Sequence, residues 1–119
     1  MTAPNVVNVA TITAKSAVLA VTTSATAIVE NTAGSDKVFK VNSLYVANID
    51  GVTSADVTVD LYRSSVAYPI AQTIAVPPDS TLIVIDKASG VYLEEGDALR
   101  LTSSANGDLM ATVSYEELS

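Results

Sequence analysis

The sequence predicts an all-β domain, a two-sheet antiparallel β-sandwich with a jelly-roll-like arrangement of strands. Three observations support this prediction. Val, Ile and Thr dominate the composition, and their branched side chains fit a pleated strand better than a helix. Short apolar runs recur along the whole chain, separated by Gly, Asn, Asp, Ser or Pro. Within residues 57–62, Val and Leu alternate with Thr, Asp and Tyr, as in a strand with one wet face.

Nine strands are expected along the chain. They cover residues 6–13, 17–23, 27–31, 37–49, 56–63, 70–76, 81–86, 98–102 and 109–116. In the long strand 37–49, Asn42 and Ser43 interrupt the alternation, which predicts a β-bulge or a passage from one sheet to the other. Residues 82–85 are continuously apolar, which is typical of a strand covered on both faces.

Turn residues separate these runs. Asn106-Gly107-Asp108 is the strongest hairpin signal in the chain, and Pro77-Pro78 marks a turn because proline cannot occupy a central strand. Residues 14–27 are ambiguous, since Ala and Leu would support a short helix. Val18, Val21 and Thr22 favour a strand there. No linker or second domain is indicated, so residues 14–119 are expected to form a single sandwich.

The first 13 residues are expected to form either an N-terminal arm or the first strand of the protein's own sheet. Four residues, Val6, Val7, Val9 and Ile12, are too apolar for a solvated tail. As an arm, they would contact a neighbouring molecule by adding a strand to its sheet edge. The segment has neither the basic start nor the continuous apolar stretch of a secretory signal, and no stretch of the chain is long enough to span a bilayer.

Composition narrows the functional classes. The chain has 119 residues and a net charge of −7, with 6 Lys and Arg against 13 Asp and Glu, which argues against binding to nucleic acid or to an anionic membrane. There is no His, Cys or Trp, so the usual zinc sites, thiol chemistry, serine–histidine triads and Trp-lined sugar platforms are excluded. A mean hydropathy of +0.38 is high for a small soluble monomer and indicates assembly with other chains.

The acidic residues suggest two candidate sites, a glycosidase carboxylate pair and a calcium site. In both cases the ordinary role of Asp and Glu in turns explains the residues. Glu94, Glu95 and Asp97 are the densest cluster, but adjacent carboxylates on a strand point to opposite faces, whereas a glycosidase needs two that face each other. Six Asp residues lie near turns and could supply oxygens to Ca²⁺, yet none has the spacing of an EF-hand loop: Asp50, Asp56, Asp79, Asp86, Asp97 and Asp108. No catalytic residue, metal ligand or cofactor site is therefore predicted, and the chain is not expected to be an enzyme.

The aromatic residues are few and dispersed. They are Phe39, Tyr45, Tyr62, Tyr68, Tyr92 and Tyr115. Tyrosines on a sheet can stack on sugars or bases, but these lack neighbouring Arg or Lys. Closing the edges of the core and filling subunit contacts are the expected roles.

Three segments together resemble small virion structural proteins of tailed bacteriophages, in particular those of aquatic and cyanobacterial hosts. These segments are residues 40–51 (KVNSLYVANIDG), 92–102 (YLEEGDALRLT) and 113–117 (VSYEE), and the similarity extends over about residues 15–118. The resemblance implies a non-enzymatic β-sandwich subunit on the particle. It is compatible with decoration or cement proteins, which commonly act as trimers or dimers at capsomer junctions.

Two hypotheses of different class follow. The first is a structural subunit on the outer surface of the phage head, made in the host cytoplasm and self-associated as a homotrimer. It would be bound to the major capsid protein or to other virion proteins, and a neck or tail accessory subunit is the next choice. The second is a carbohydrate-binding module for host adsorption. The absence of Trp counts against the second hypothesis.

Overall fold

The computed structural model describes residues 10–119, which fold as two antiparallel sheets packed face to face. The nine strands are β1 (Ile12–Ala20), β2 (Thr26–Glu30), β3 (Val38–Asn48), β4 (Ala55–Arg63), β5 (Val66–Val76), β6 (Thr81–Ile85), β7 (Val91–Leu93), β8 (Ala98–Ser103) and β9 (Leu109–Leu118). A single 3₁₀ turn lies at Lys87–Ser89. None of the described residues belongs to a helix that could cross a membrane.

The strand order is that of a jelly roll. Sheet A has the order β1-β9-β3-β6, with the short β7 paired to the first half of β3. Sheet B has the order β2-β8-β4-β5. The chain crosses repeatedly between the sheets, so that strands distant in sequence become neighbours. The predicted two-sheet sandwich is confirmed.

The core lies between the two sheets and consists of branched aliphatic side chains. Sheet A supplies fully buried Val41, Leu44 and Val46, while sheet B supplies Val57 and Val59 among others. In β4, Thr58 lies between these valines and is only half-buried, so the alternation seen in the sequence separates a buried face from a wetter one here. Burial of such side chains is the principal stabilising contribution.

The irregularity at Asn42 is a β-bulge, one of the two alternatives that the sequence predicts. The register between β3 and β9 shifts between Val41 and Ser43. On the other side of β3, residues Phe39–Val41 pair with β7, and residues Leu44–Ala47 pair with β6. The bulge therefore separates the two halves of β3, and each half has its own outer neighbour.

Two predictions from local pattern are wrong. Asn106-Gly107-Asp108 does not close a hairpin, because it joins β8 of sheet B to β9 of sheet A. Gly107 has the left-handed φ of 84° that the turn signal predicts, but turn chemistry fixes the path of the backbone and not the pairing partner. The tight hairpin turn instead lies at Ser64 and Ser65, whose φ values are 52° and 62°.

Strand β6 is also not covered on both faces. It lies at an edge of sheet A, and the Ile83 side chain is 58% exposed. Ile85 alone in this strand is fully buried. The continuous apolar run therefore reflects an outer face that the chain itself leaves open.

The ambiguous segment 14–27 contains strand and no helix. Strand β1 runs without a break through residues 12–20, where the sequence pattern predicts the end of one strand and the start of another. The strand β7 was not predicted at all, because three residues carry too short a pattern.

Candidate functional site

The outer face of sheet A carries an uncharged row of side chains that crosses four strands. Val18 of β1 lies opposite Thr112 of β9, which lies opposite Tyr45 of β3, and Tyr45 in turn lies opposite Ile83 of β6. Cross-strand partners share one side of a sheet, so the row is about 14 Å long. The exposed fractions are 77% for Val18, 40% for Tyr45 and 58% for Ile83.

Two parallel rows extend this surface. One contains Ala20, Met110, Ala47 and Thr81, and the other contains Ser16, Ser114 and Ser43. We call the three rows together the neutral face. The next row beyond the serines is charged, because it contains Lys40 opposite Glu116. The neutral face has no ionised group to desolvate, so covering its apolar side chains is favourable where the covering surface also offers hydrogen-bond partners to the hydroxyl groups.

The outer face of sheet B is different, because its charges are paired within the chain. Arg100 of β8 donates from Nε to Oδ1 of Asp60 on β4 at 3.0 Å. The same guanidinium lies over the ring of Tyr62, 3.8 Å from its centroid. Carboxylate, guanidinium and ring thus form one closed unit on adjacent strands.

The acidic turn between β7 and β8 is held by an arginine. Arg63 donates to both carboxylate oxygens of Asp97, from Nε at 2.8 Å and from Nη2 at 2.6 Å, and its Nη2 also donates to Glu94 at 2.8 Å. The hydrogen bond to buried Asp97, followed by the attraction of both carboxylates, raises the pKa of Arg63. Glu95 accepts a hydrogen bond from the backbone N–H of Asp36. Each carboxylate is thus engaged in holding a loop, as in the turn interpretation.

The aspartates considered as calcium ligands are dispersed over several turns. Asp50 accepts hydrogen bonds from the backbone N–H groups of Val52 and Thr53. Asp86 caps the 3₁₀ turn by accepting from Ala88 and Ser89. Within residues 10–119, no three acidic groups converge as metal ligands would. The observed contacts are those of ordinary turn and cap residues.

A lysine pair encloses Glu117 on the inner side of sheet A. Lys15 of β1 lies 3.0 Å from one Glu117 carboxylate oxygen, and Lys37 lies 3.1 Å from the other. Burial tends to raise the pKa of Glu117, but the hydrogen bonds and charges of the two lysines outweigh it, and the net shift is downward. The hydrogen bond to Glu117 in turn raises the pKa of Lys15. The only charge on β1 is therefore already paired within its own sheet, with a carboxylate that it shares with Lys37.

The tyrosines do not form a common platform. Tyr115 packs against Phe39 with ring centroids 5.5 Å apart, and Tyr62 lies under Arg100. Tyr45 and Tyr92 are both exposed on sheet A, but Tyr92 lies opposite Lys40 in the charged row beyond the neutral face. This separation does not suit the stacking of one sugar ring between aromatic side chains.

Of the four contact residues predicted from the sequence, Ile12 is the one that the structure describes. Val6, Val7 and Val9 fall outside the described residues. Ile12 begins β1, opposite Leu118 in the protein's own sheet, and is 58% exposed. It lies about 20 Å along the strand from Val18. The neutral face itself was not predicted. The continuous apolar run at residues 82–85 was the one signal for it, because such a run puts apolar side chains on both sides of β6.

The comparisons with known proteins add a likeness of fold. No family model matches the chain, and no curated protein matches its sequence. Among solved structures, the fold is similar to a subunit from work titled "Bacillus endospore appendages form a novel family of disulfide-linked pili". The TM-score is 0.54 with 15% identity, and the match covers 92% of this chain and 88% of the other. At this identity the likeness concerns the fold.

Proposed function

We propose that this protein is a non-enzymatic structural subunit of a bacteriophage particle, which decorates the head by bridging neighbouring capsomers through its neutral face. The observation that carries the proposal is the uncharged row of Val18, Thr112, Tyr45 and Ile83, exposed across four strands of one sheet. The resemblance to small virion proteins supplies the kind of particle.

The physical role of such a subunit is additive burial. A shell that holds packaged DNA is under outward stress, and a subunit at each junction stabilises it by removing apolar surface from water. Fully burying one Val, Ile or similar side chain contributes about 1.5–3 kcal/mol, so a small face repeated over many junctions is sufficient. No catalytic group is needed. The net charge of −7 keeps free subunits soluble and favours the outside of the shell, away from the DNA.

The test uses the phage's major capsid protein, which under this proposal is encoded near this chain. Co-expression should give shells that sediment together with the chain. Thr112→Glu places a charge in the middle of the neutral face and should abolish co-sedimentation. Thr102→Glu is the matched control, because Thr102 lies opposite Thr58 on the outer face of sheet B and in a central strand. Shells that sediment without the wild-type chain, or a coding frame remote from any virion gene, would contradict the proposal.

Placement within the particle is a separate measurement. Cryo-electron microscopy of the virion should show the subunit on the head, and a position at the neck or tail would replace the decoration role with an accessory one. Binding to a glycan array, lost in Tyr45→Ala but not in Tyr115→Phe, would instead support the carbohydrate-binding alternative.

A filament subunit is the second candidate function, favoured by the fold shared with the appendage protein. The chain has no Cys, so its filaments would be held together without disulfide links. Negative-stain electron microscopy of the concentrated protein distinguishes the two functions. Long regular fibres support the filament, and discrete particles of one size support the decoration subunit.

A further inference from the structure

The free sheet edges of the molecule differ in how well they could accept another strand. Strand β5 is long but contains Pro69, two shifts of register with β4, and Thr73 at a φ of 49°. Strands β2 and β6 have five residues each and a register shift, and β7 has three residues. These are the usual devices by which proteins prevent pairing at an edge.

Strand β1 has none of these devices. Its nine residues pair with β9 in one unbroken register, from Ile12 opposite Leu118 to Ala20 opposite Met110. It contains no proline, and its only charge, Lys15, is bound to Glu117 of its own sheet. Among the described strands, β1 is the one long and regular edge left open.

We propose that β1 is the site at which a second copy of this chain pairs, antiparallel and about a two-fold axis, so that the two sheets A become one continuous sheet. The contact is independent of the particle to which the chain attaches. Its product is a dimer, in place of the trimer that the resemblance implies.

The sequence of β1 is compatible with itself in this arrangement. With Ser16 on the axis, Ile12 faces Ala20 of the second copy, and Val18 faces Ala14, so outer side chains meet outer side chains over the full strand. Lys15 faces Ala17 of the second copy, and no two like charges lie directly opposite. A two-fold contact needs only this one patch on each chain.

The neutral face favours a second copy over a foreign strand. Val18 carries the uncharged row of sheet A to the edge of the molecule and is 77% exposed there. Two-fold pairing with Ser16 on the axis joins the serine rows of both copies (Ser16, Ser114 and Ser43) into one uncharged row, and the two Val18 residues lie about 13 Å apart along the strands, on either side of it. The dimer thus doubles the length of the serine row, whereas a foreign strand adds one residue to it.

Charge exchange at Ser16 tests the pairing. Ser16 lies on the proposed axis, so Ser16→Lys and Ser16→Glu each place like charges opposite one another, and each should raise the dimer dissociation constant about fivefold. A mixture of the two variants should form a heterodimer at least as tight as the wild-type dimer. Gln72→Lys, which puts the same charge on the exposed β5 edge, is the matched control and should leave the dimer unchanged.

Sedimentation equilibrium measures the masses, and far-UV circular dichroism verifies that each variant is folded. A wild-type monomer or trimer at micromolar concentrations, or a Ser16→Glu variant that dimerises as tightly as wild type, overturns the proposal. So does protection of the β1 amides from hydrogen exchange that arises only on capsid shells, because it would assign this edge to a strand of the shell protein.

Discussion

The two outer faces of the sandwich differ in the side chains that they expose to solvent. On sheet B, Asp60 and Arg100 pair with each other, and Arg100 covers Tyr62. On sheet A, Val18 and Ile83 extend into solvent with no polar partner. On the first face the charged groups are paired within the chain, whereas the second face exposes apolar side chains and has no ionised group in its central rows. This difference is the reason for proposing that sheet A carries the interface.

The same difference is visible in the strands that build the faces. Strand β4 of sheet B alternates between buried valines and outward polar residues, so its outer side is adapted to water. Strand β6 of sheet A is apolar at successive positions, on both of its sides. The first pattern is that of a surface strand, and the second leaves an apolar side chain, Ile83, exposed on the outer side of the sheet.

Breaking the paired unit on sheet B should have the largest effect on stability. Asp60→Ala leaves the Arg100 guanidinium, only 22% exposed, without its carboxylate, and we expect a loss of about 2–3 kcal/mol in the free energy of unfolding. Urea denaturation followed by circular dichroism measures it. Asp56→Ala in the same strand is the control, because the Asp56 side chain is half-buried and has no ion-pair partner, and it should cost less than about 0.5 kcal/mol. Equal losses of unfolding free energy in both variants would show that the Asp60–Arg100 ion pair does not stabilise sheet B.

The Lys15–Glu117–Lys37 cluster should set part of the response to acid. The folded state lowers the pKa of Glu117, so its contribution to stability is complete above the unfolded-state pKa of about 4.3 and is lost as the pH falls through the lower folded-state pKa. In Glu117→Gln, the decline of stability below this pH should be shallower than in wild type. Urea titrations at a series of pH values measure the slope.

Glu116→Gln is the control for this measurement. Glu116 is adjacent in sequence but accepts a hydrogen bond from Asn42 in place of a lysine. It should retain the wild-type slope. Identical slopes for the wild type and Glu117→Gln would mean that the lysine pair does not stabilise the ionised carboxylate.

Changes on the neutral face should have the smallest effect on the fold. Val18→Thr keeps the shape of a side chain that is mostly in water, and we expect the free energy of unfolding to change by less than about 0.5 kcal/mol. The same substitution should weaken attachment to capsid shells in the co-sedimentation assay. A marked loss of stability in the isolated chain would instead indicate that Val18 packs within the molecule.

The positions of most strands and of the bulge could be predicted from the sequence, because each depends on a local pattern of residues. The alternation in β4 and the interruption at Asn42 mark a half-buried strand and a bulge, and both are present. A local pattern does not predict which strands pair with each other when those strands are distant in sequence or lie in different sheets. Asn106-Gly107 forms the expected turn, but the strands that follow and precede it belong to different sheets.

The neutral face lies beyond sequence reasoning for a related reason. Val18, Tyr45, Ile83 and Thr112 become neighbours only through the register of four strands that are widely separated along the chain. Register between distant strands depends on the packing of the whole core. The hairpin turn at Ser64 and Ser65 was missed because its left-handed residues are serines, without the glycine that usually signals such a turn.

The position of β9 in sheet A has a consequence for how the protein is made. This last strand lies between β1 and β3, and it joins the first strand to the rest of its sheet. While the chain is being synthesised, β1 and β3 have no partner to hold them together until residues 109–118 leave the ribosome.

Sheet A is therefore complete only when β9 has formed, because β1 has no other neighbour in this sheet, whereas β3 can pair earlier with β6 and β7. Pairings between residues so far apart in sequence also form slowly. A chain that ends within β9 should therefore leave β1 without its partner strand, and unpaired strand edges of this kind favour aggregation.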